Sequence, residues 1–332
     1  MTMVAGAFST NVAVGNREDL SDAIYSISPT DTPLLSKLPR VKAKARTHEW
    51  QTDTLLAAAE NAHLEGDVSS ATTAVATVRV KNHTQIFKKT IAVSGTQEVV
   101  DKAGRDSEIA YQLMKSGKEI KRDLEYALTQ NRASAVGESG SLRKMGSTIS
   151  FIGANGSNWT TKASGSATLT TGGYNASTGN TIAWIVPTSN GTLTENDLKA
   201  VISACWTAGG QPDILLVDIA AKKKISGFTG IADVTKEAGQ TAKTTRIIGG
   251  ADIYVSDVGE HRVVPSRFND AEFVQVLDTD FWALAQLRGM TKEKLAKTGD
   301  AETFHLLTEV TLESRQQLAS GLVVGVDGAL AG

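Results

Sequence analysis

Residues 47–97 read THEWQTDTLLAAAENAHLEGDVSSATTAVATVRVKNHTQIFKKTIAVSGTQ, and residues 106–132 read DSEIAYQLMKSGKEIKRDLEYALTQNR. The first stretch opens with a strand-like mixture at 47–54 and closes with dense β-branching at 75–93, where Val75, Val78, Val80, Thr84, Ile86, Thr90, Ile91 and Val93 lie. These are expected to be the two arms of one long hairpin. Between them, residues 55–73 have no clean period, an alanine run, and an acidic group at Glu60, Glu65 and Asp67 with Gly66 as a hinge. That is the composition of a mobile, extended tip. A hairpin of this length cannot bury both faces against its own domain, so Glu60, Glu65, Gly66 and Asp67 are expected at an interface with a neighbour.

The second stretch is one amphipathic helix. Ile109, Leu113, Gly117, Ile120, Leu124, Ala127 and Leu128 fall in a sector about 100° wide at 3.6 residues per turn. Asp106 or Ser107 can cap it, and at 1.5 Å per residue it would span roughly 40 Å. Lys115, Lys118 and Arg122 group on the opposite face, and Lys121 is spaced to pair with Glu125.

The remaining chain sorts around this pair. Residues 1–45 are polar and proline-broken, with room for one short helix at 19–27, and read as an arm that docks elsewhere. Residues 136–191 turn to Gly, Ser, Thr and Asn with β-prone runs at 147–152, 167–171 and 181–186. Trp159, Tyr174 and Trp184 argue that this segment packs. Thr194 with Asp197 opens a helix that Gly209-Gly210 ends. A buried strand at 214–217, a helix at 219–225, and strands at 245–248 and 251–256 joined by Gly249-Gly250 complete an α/β unit. Strands follow at 273–277, 282–287 and 304–315. The fold class is α+β.

Composition narrows the function. Lys plus Arg number 34 and Asp plus Glu 36, a net charge of -2, so no global basic field is present to hold nucleic acid tightly. Aromatic residues make up 5%, which disfavours a deep aromatic-lined pocket. The lone Cys205 sits in an apolar helical pattern and reads as packing. A secretory signal and a membrane-length apolar run are both missing, so no membrane role is expected, and an intracellular, reducing site of synthesis fits. No zinc-protease, nucleophile-elbow, phosphate-loop or dinucleotide motif occurs, and the five histidines are scattered. His48, Glu49 and Asp53 could be imagined around a metal, but His48 and Glu49 point to opposite faces of a strand. No catalytic, cofactor or metal residues are assigned. The run Lys222-Lys223-Lys224 reads as a solvated helix face.

The order of arm, long β loop, long helix, α/β unit and returning strands resembles the tailed-bacteriophage major capsid proteins of the Hong Kong 97 type. Local text carries the resemblance: TDTPLLSKL at 30–38, THEWQTDT at 47–54, VSGTQ at 93–97, KEIKRD at 118–123, HRVVPSR at 261–267 and LAKTGD at 295–300. It leaves 136–192 uncovered. The resemblance implies an N-terminal arm (1–45), an extended loop (46–97), a peripheral domain with a spine helix (98–135), an inserted β segment (136–192), an axial domain (193–270) and returning strands (271–332). It also implies self-assembly through pentamers and hexamers into an icosahedral or prolate head, a virion protein enclosing double-stranded DNA through weak nonspecific contact. Lys115, Lys118 and Arg122 would then line the lumen or form a plain solvated face. Scaffold, portal and decoration proteins are candidate partners. Some shells of this type crosslink a loop lysine to a neighbour's asparagine, and the lack of Lys in 55–73 argues against that bond here. An encapsulin-like compartment is the nearest alternative, and an enzyme built on the α/β unit a distant one.

Overall fold

The computed structural model describes residues 28–68, 75–102, 104–153, 160–162, 172–185, 190–228, 252–297 and 299–327. The expected helix at 19–27, the strands at 167–171 and 245–248, Trp159 and the end of the tip lie outside these residues. The helices are α1 (Pro33–Lys37), α2 (Gly95–Val99), α3 (Glu108–Thr129), α4 (Thr148–Phe151), α5 (Glu195–Thr207) and α6 (Ile219–Ser226). The first strands are β1 (Arg40–Lys42), β2 (Thr47–Thr52), β3 (Val78–His83), β4 (Gln85–Ser94), β5 (Thr160–Lys162), β6 (Gly173–Asn175) and β7 (Asn180–Ile182). The rest are β8 (Ile214–Val217), β9 (Ile253–Val255), β10 (Glu260–Pro265), β11 (Phe273–Leu277), β12 (Trp282–Lys294), β13 (Ala301–Ser314) and β14 (Gly321–Val324).

The long helix α3 has 22 residues, about 33 Å. Ser107 caps it by accepting from the Ala110 N–H at 3.1 Å. The Glu98 carboxylate accepts from the Ser107 hydroxyl and from the Glu108 and Ile109 N–H groups. The Ser107 bond, followed by those two amides, holds the Glu98 carboxyl below its usual pKa. Ile120, Leu124, Ala127 and Leu128 are buried as the stripe requires, whereas Ile109 and Leu113 are half-buried, so the helix is seated most deeply at its C-terminal half.

The expected Lys121–Glu125 pair does not form. Glu125 is fully buried and faces the arm, where its two carboxylate oxygens accept from Leu34 N at 3.0 Å and Leu35 N at 2.8 Å. Those are the free first-turn amides of α1, which Pro33 opens. Desolvation raises the Glu125 pKa against the pull of the two amides. Leu34, Leu35 and Leu38 are buried beside the helix, so residues 33–38 pack against α3.

Two sheets organise the rest. The four-stranded sheet runs β1-β12-β13-β4, with β1 as a parallel edge on β12 and β13 paired to both neighbours antiparallel. The six-stranded sheet runs β5-β14-β11-β8-β10-β9. Its central strands are buried on both faces, and strand periodicity divides them between two cores. Ile214, Leu216, Phe273, Leu277, Leu322 and Val324 join the core under α3 and α4. Leu215, Val217, Val274, Val276 and Val323 meet Leu198, Val201, Ile202 and Cys205 of α5. Burial pushes the Cys205 thiol up to about 12, an inert packing residue. The Thr194–Asp197 capping box forms as expected, and Gly209 follows α5 at φ +93°.

Three further expectations change. The arm expected at 75–93 divides at Thr84: β3 stays in the hairpin with β2, and β4 leaves to pair with β13. Thr84 is fully buried there, with its N–H and hydroxyl donating to Arg46 O and its hydroxyl also reaching Glu309 at 2.8 Å. The β-prone run at 147–152 is a helical turn instead, because Ser147 and Ser150 form a reciprocal capping box that overrides β-branching. The strand expected at 282–287 continues to Lys294.

Candidate assembly surface

The β2–β3 hairpin leaves the body as a stem, and its root is fixed by side chains. Fully buried Asn82 donates to Leu312 O at 2.8 Å and to Gly146 O at 3.4 Å. Its carbonyl accepts from Gly146 N at 2.9 Å. The Trp50 indole donates to Ser314 O at 2.6 Å, and the Thr311 hydroxyl donates to His83 O at 2.9 Å. His48 Nε2 lies 2.9 Å from Glu313, and that bond, the largest influence, holds the Glu313 carboxyl below its usual value. Burial lowers the His83 pKa most, while its Nε2 contacts Asn180 Oδ1 at 3.1 Å. Glu309, nearly buried, is shared by Arg143, Arg288 and Thr84.

The segment at 136–192 braces this root. Arg143 reaches Glu309, the Lys81 N–H donates to the Tyr174 hydroxyl at 3.3 Å, and Tyr174 stacks on Phe151 with ring centroids 5.8 Å apart. Trp184 donates to Ile149 O at 3.1 Å. The expectation of packing holds for Tyr174 and Trp184. The sequence alone assigns Asn82, Arg143 and Glu309 no part in this root. The available signal was the polar run Lys81-Asn82-His83-Thr84 inside a β-branched arm, which a buried strand tolerates only with partners.

Beyond Thr52 the chain has no regular structure up to Val68 and every residue is exposed. Leu55 is 97%, Leu64 83% and Val68 87% exposed, an apolar content that water alone does not favour. Glu60, Glu65, Gly66 and Asp67 are all on this exposed tip. Gly66 adopts φ +86° in a turn closed by Asp67 N donating to Leu64 O at 3.1 Å, a left-handed position that favours glycine. His63 lies 3.6 Å from Asp67 within the same turn.

Lys115 and Lys118 are exposed on α3. Arg122 is not their equal: it is half-buried with its guanidinium 5.7 Å from the Phe268 ring centre. His48 and Glu49 do diverge, His48 to Glu313 and Glu49 to Arg79. Among the described residues no group of three metal-ligating side chains converges, and no helix is long and apolar enough to cross a membrane.

Comparison with known proteins matches this architecture. The capsid asymmetric unit of Cyanophage A-1(L) superposes with a TM-score of 0.62, covering 96% of this chain and 98% of that one at 14% identity. The holo-SrpI encapsulin complex from Synechococcus elongatus PCC 7942 gives 0.53 over 96% and 95% at 11% identity. At such identities these likenesses establish the fold alone. In sequence, the major capsid protein of Escherichia phage Phieco32 is 28% identical over 346 residues, 96% of each protein. The SU10 major capsid protein model matches residues 6–327, almost the whole length. The chain therefore belongs to the SU10 major capsid protein family, and is a structural subunit of a phage head shell.

Proposed function

We propose that the subunit is arranged in the Hong Kong 97 layout and closes its shell by laying the 47–83 excursion across a neighbour. In this reading α3 and the four-stranded sheet form the peripheral domain. Residues 193–270, which supply β8, β9 and β10 of the six-stranded sheet, form the axial domain that meets its copies around five-fold and six-fold axes. The observation that carries it is the tip: Leu55, Leu56, Leu64 and Val68 stand in solvent on a stem whose root is anchored by the Trp50 and Asn82 hydrogen bonds. At about 25 cal/mol per Å² of apolar surface, covering several such side chains on each of many subunits gives a shell a substantial driving force.

Lys115 and Lys118 fit a lumenal face that lightly screens packaged double-stranded DNA, with Arg122 contributing less because of its seat on Phe268. Scaffold, portal and decoration proteins remain candidate partners. An encapsulin-like compartment shares the fold, but the sequence relative is a phage protein, which favours a head. Limited proteolysis tests the loop: free subunits should be cut first within 55–73, and assembled particles should be protected there. Equal cleavage in both states would sink the proposal.

A further inference from the structure

We propose that the acidic tip of one subunit docks on a basic strip at residues 37–46 of a second copy. This rests on the loop-on-neighbour reading above and adds its receptor. The two segments are opposite in charge, and each lacks ions of the other sign. From 53 to 78 the chain carries Asp53, Glu60, Glu65 and Asp67 and no lysine or arginine. From 32 to 48 it carries Lys37, Arg40, Lys42, Lys44 and Arg46 and no carboxylate. All five of these cations are exposed, and none makes an ion pair with any described residue of its own chain.

The strip is held rigid. Arg40 and Lys42 flank Val41 on β1, the edge strand of the four-stranded sheet, and Ala43 N extends the pairing by donating to Gln286 O at 2.9 Å. Beside it, between α3 and the sheet, opens a cleft of about 330 Å³. Its walls include Ile120, Leu124, Leu284 and Met290, with Arg40 and Lys121 among its lining residues. Met290 is half-exposed at this site. A cleft of mixed polar and apolar lining, edged by cations, fits a segment in which leucines alternate with carboxylates, and residues 55–68 are such a segment: Leu55 and Leu56, then Glu60, Leu64, Glu65, Asp67 and Val68. Steering by opposite charge sets the register, and the leucines supply burial.

Zero-length carbodiimide crosslinking of wild-type particles tests the contact, because it joins carboxylates to amines only where they touch. Mass spectrometry should find Glu60, Glu65 or Asp67 bonded to Lys37, Lys42, Lys44 or Lys121 of another copy. Particles without any such link overturn the docking site. If the loop is still protease-protected in those particles, the loop-on-neighbour reading survives. Charge reversal is the second arm. Lys42→Glu with Lys44→Glu, or Glu60→Lys with Glu65→Lys and Asp67→Lys, should each leave folded subunits that form no particles. All five changes in one chain should restore assembly. If the combined chain stays unassembled although folded, or the loop reversal alone assembles normally, the strip serves another ligand such as DNA and the proposal falls.

Discussion

In the stem, Asn82 is fully buried and uses its side-chain amide on three backbone groups of the body, whereas in the tip Leu55 lies almost wholly in water with no partner side chain packed on it. Both belong to one excursion, separated by a few residues of strand. The stem is committed to its own subunit, since the buried Asn82 amide and the Trp50 indole find their partners there. The tip stays in solvent, with Leu55, Leu64 and Val68 left exposed among the described residues. The boundary between the two falls at Thr52 and Val78, where the β2–β3 pairing stops.

The comparison breaks most visibly at Asn82. Replacing it with alanine removes the partner of the Gly146 N–H and of Leu312 O in a buried site, and the subunit should lose about 1–3 kcal/mol. Urea unfolding of the isolated subunit measures it, and a change under 0.5 kcal/mol would mean the root is not what fixes the stem.

A smaller effect is expected from Glu313. Its carboxyl is held below the ordinary value in the folded state, so its contribution is present above the unfolded pKa of about 4.3 and is lost as pH falls through the folded value. Stability measured across that acidic window should decline less steeply in Glu313→Gln than in wild type. Parallel curves would remove the His48 contact from the account of the root.

The smallest effect on the isolated subunit belongs to the tip. Leu56→Ser should change its unfolding free energy by no more than about 0.5 kcal/mol, because the side chain is exposed, and yet should lower the yield of particles seen by negative-stain microscopy. A clear loss of subunit stability would place the tip with the stem.

What was legible in sequence follows the same division. The α3 stripe was readable because Ile120, Leu124 and Leu128 repeat at helical spacing, and strands β8 and β11 were readable as short apolar runs. Residues whose roles depend on distant partners were not. Glu125 looked like a surface ion-pair member because the local spacing offered Lys121, while its partners were amides some ninety positions away. Residues 148–151 looked extended because β-branching is visible and a serine pair closing a cap is easily overlooked. The tip's acidity and irregularity were plain, but the strip at 37–46 gains meaning only once β1 is seen at a sheet edge.

Strand β13 carries an implication of a mechanical kind. Its ten paired positions hold β4 on one side, β12 holds the other, and its last residues receive the Asn82 and Trp50 bonds of the stem. A tug along the stem therefore reaches a strand that is hydrogen-bonded to a neighbour on each side. The excursion behaves as a cantilever clamped in the middle of a sheet, so a strained shell would stretch its tips long before it uprooted them.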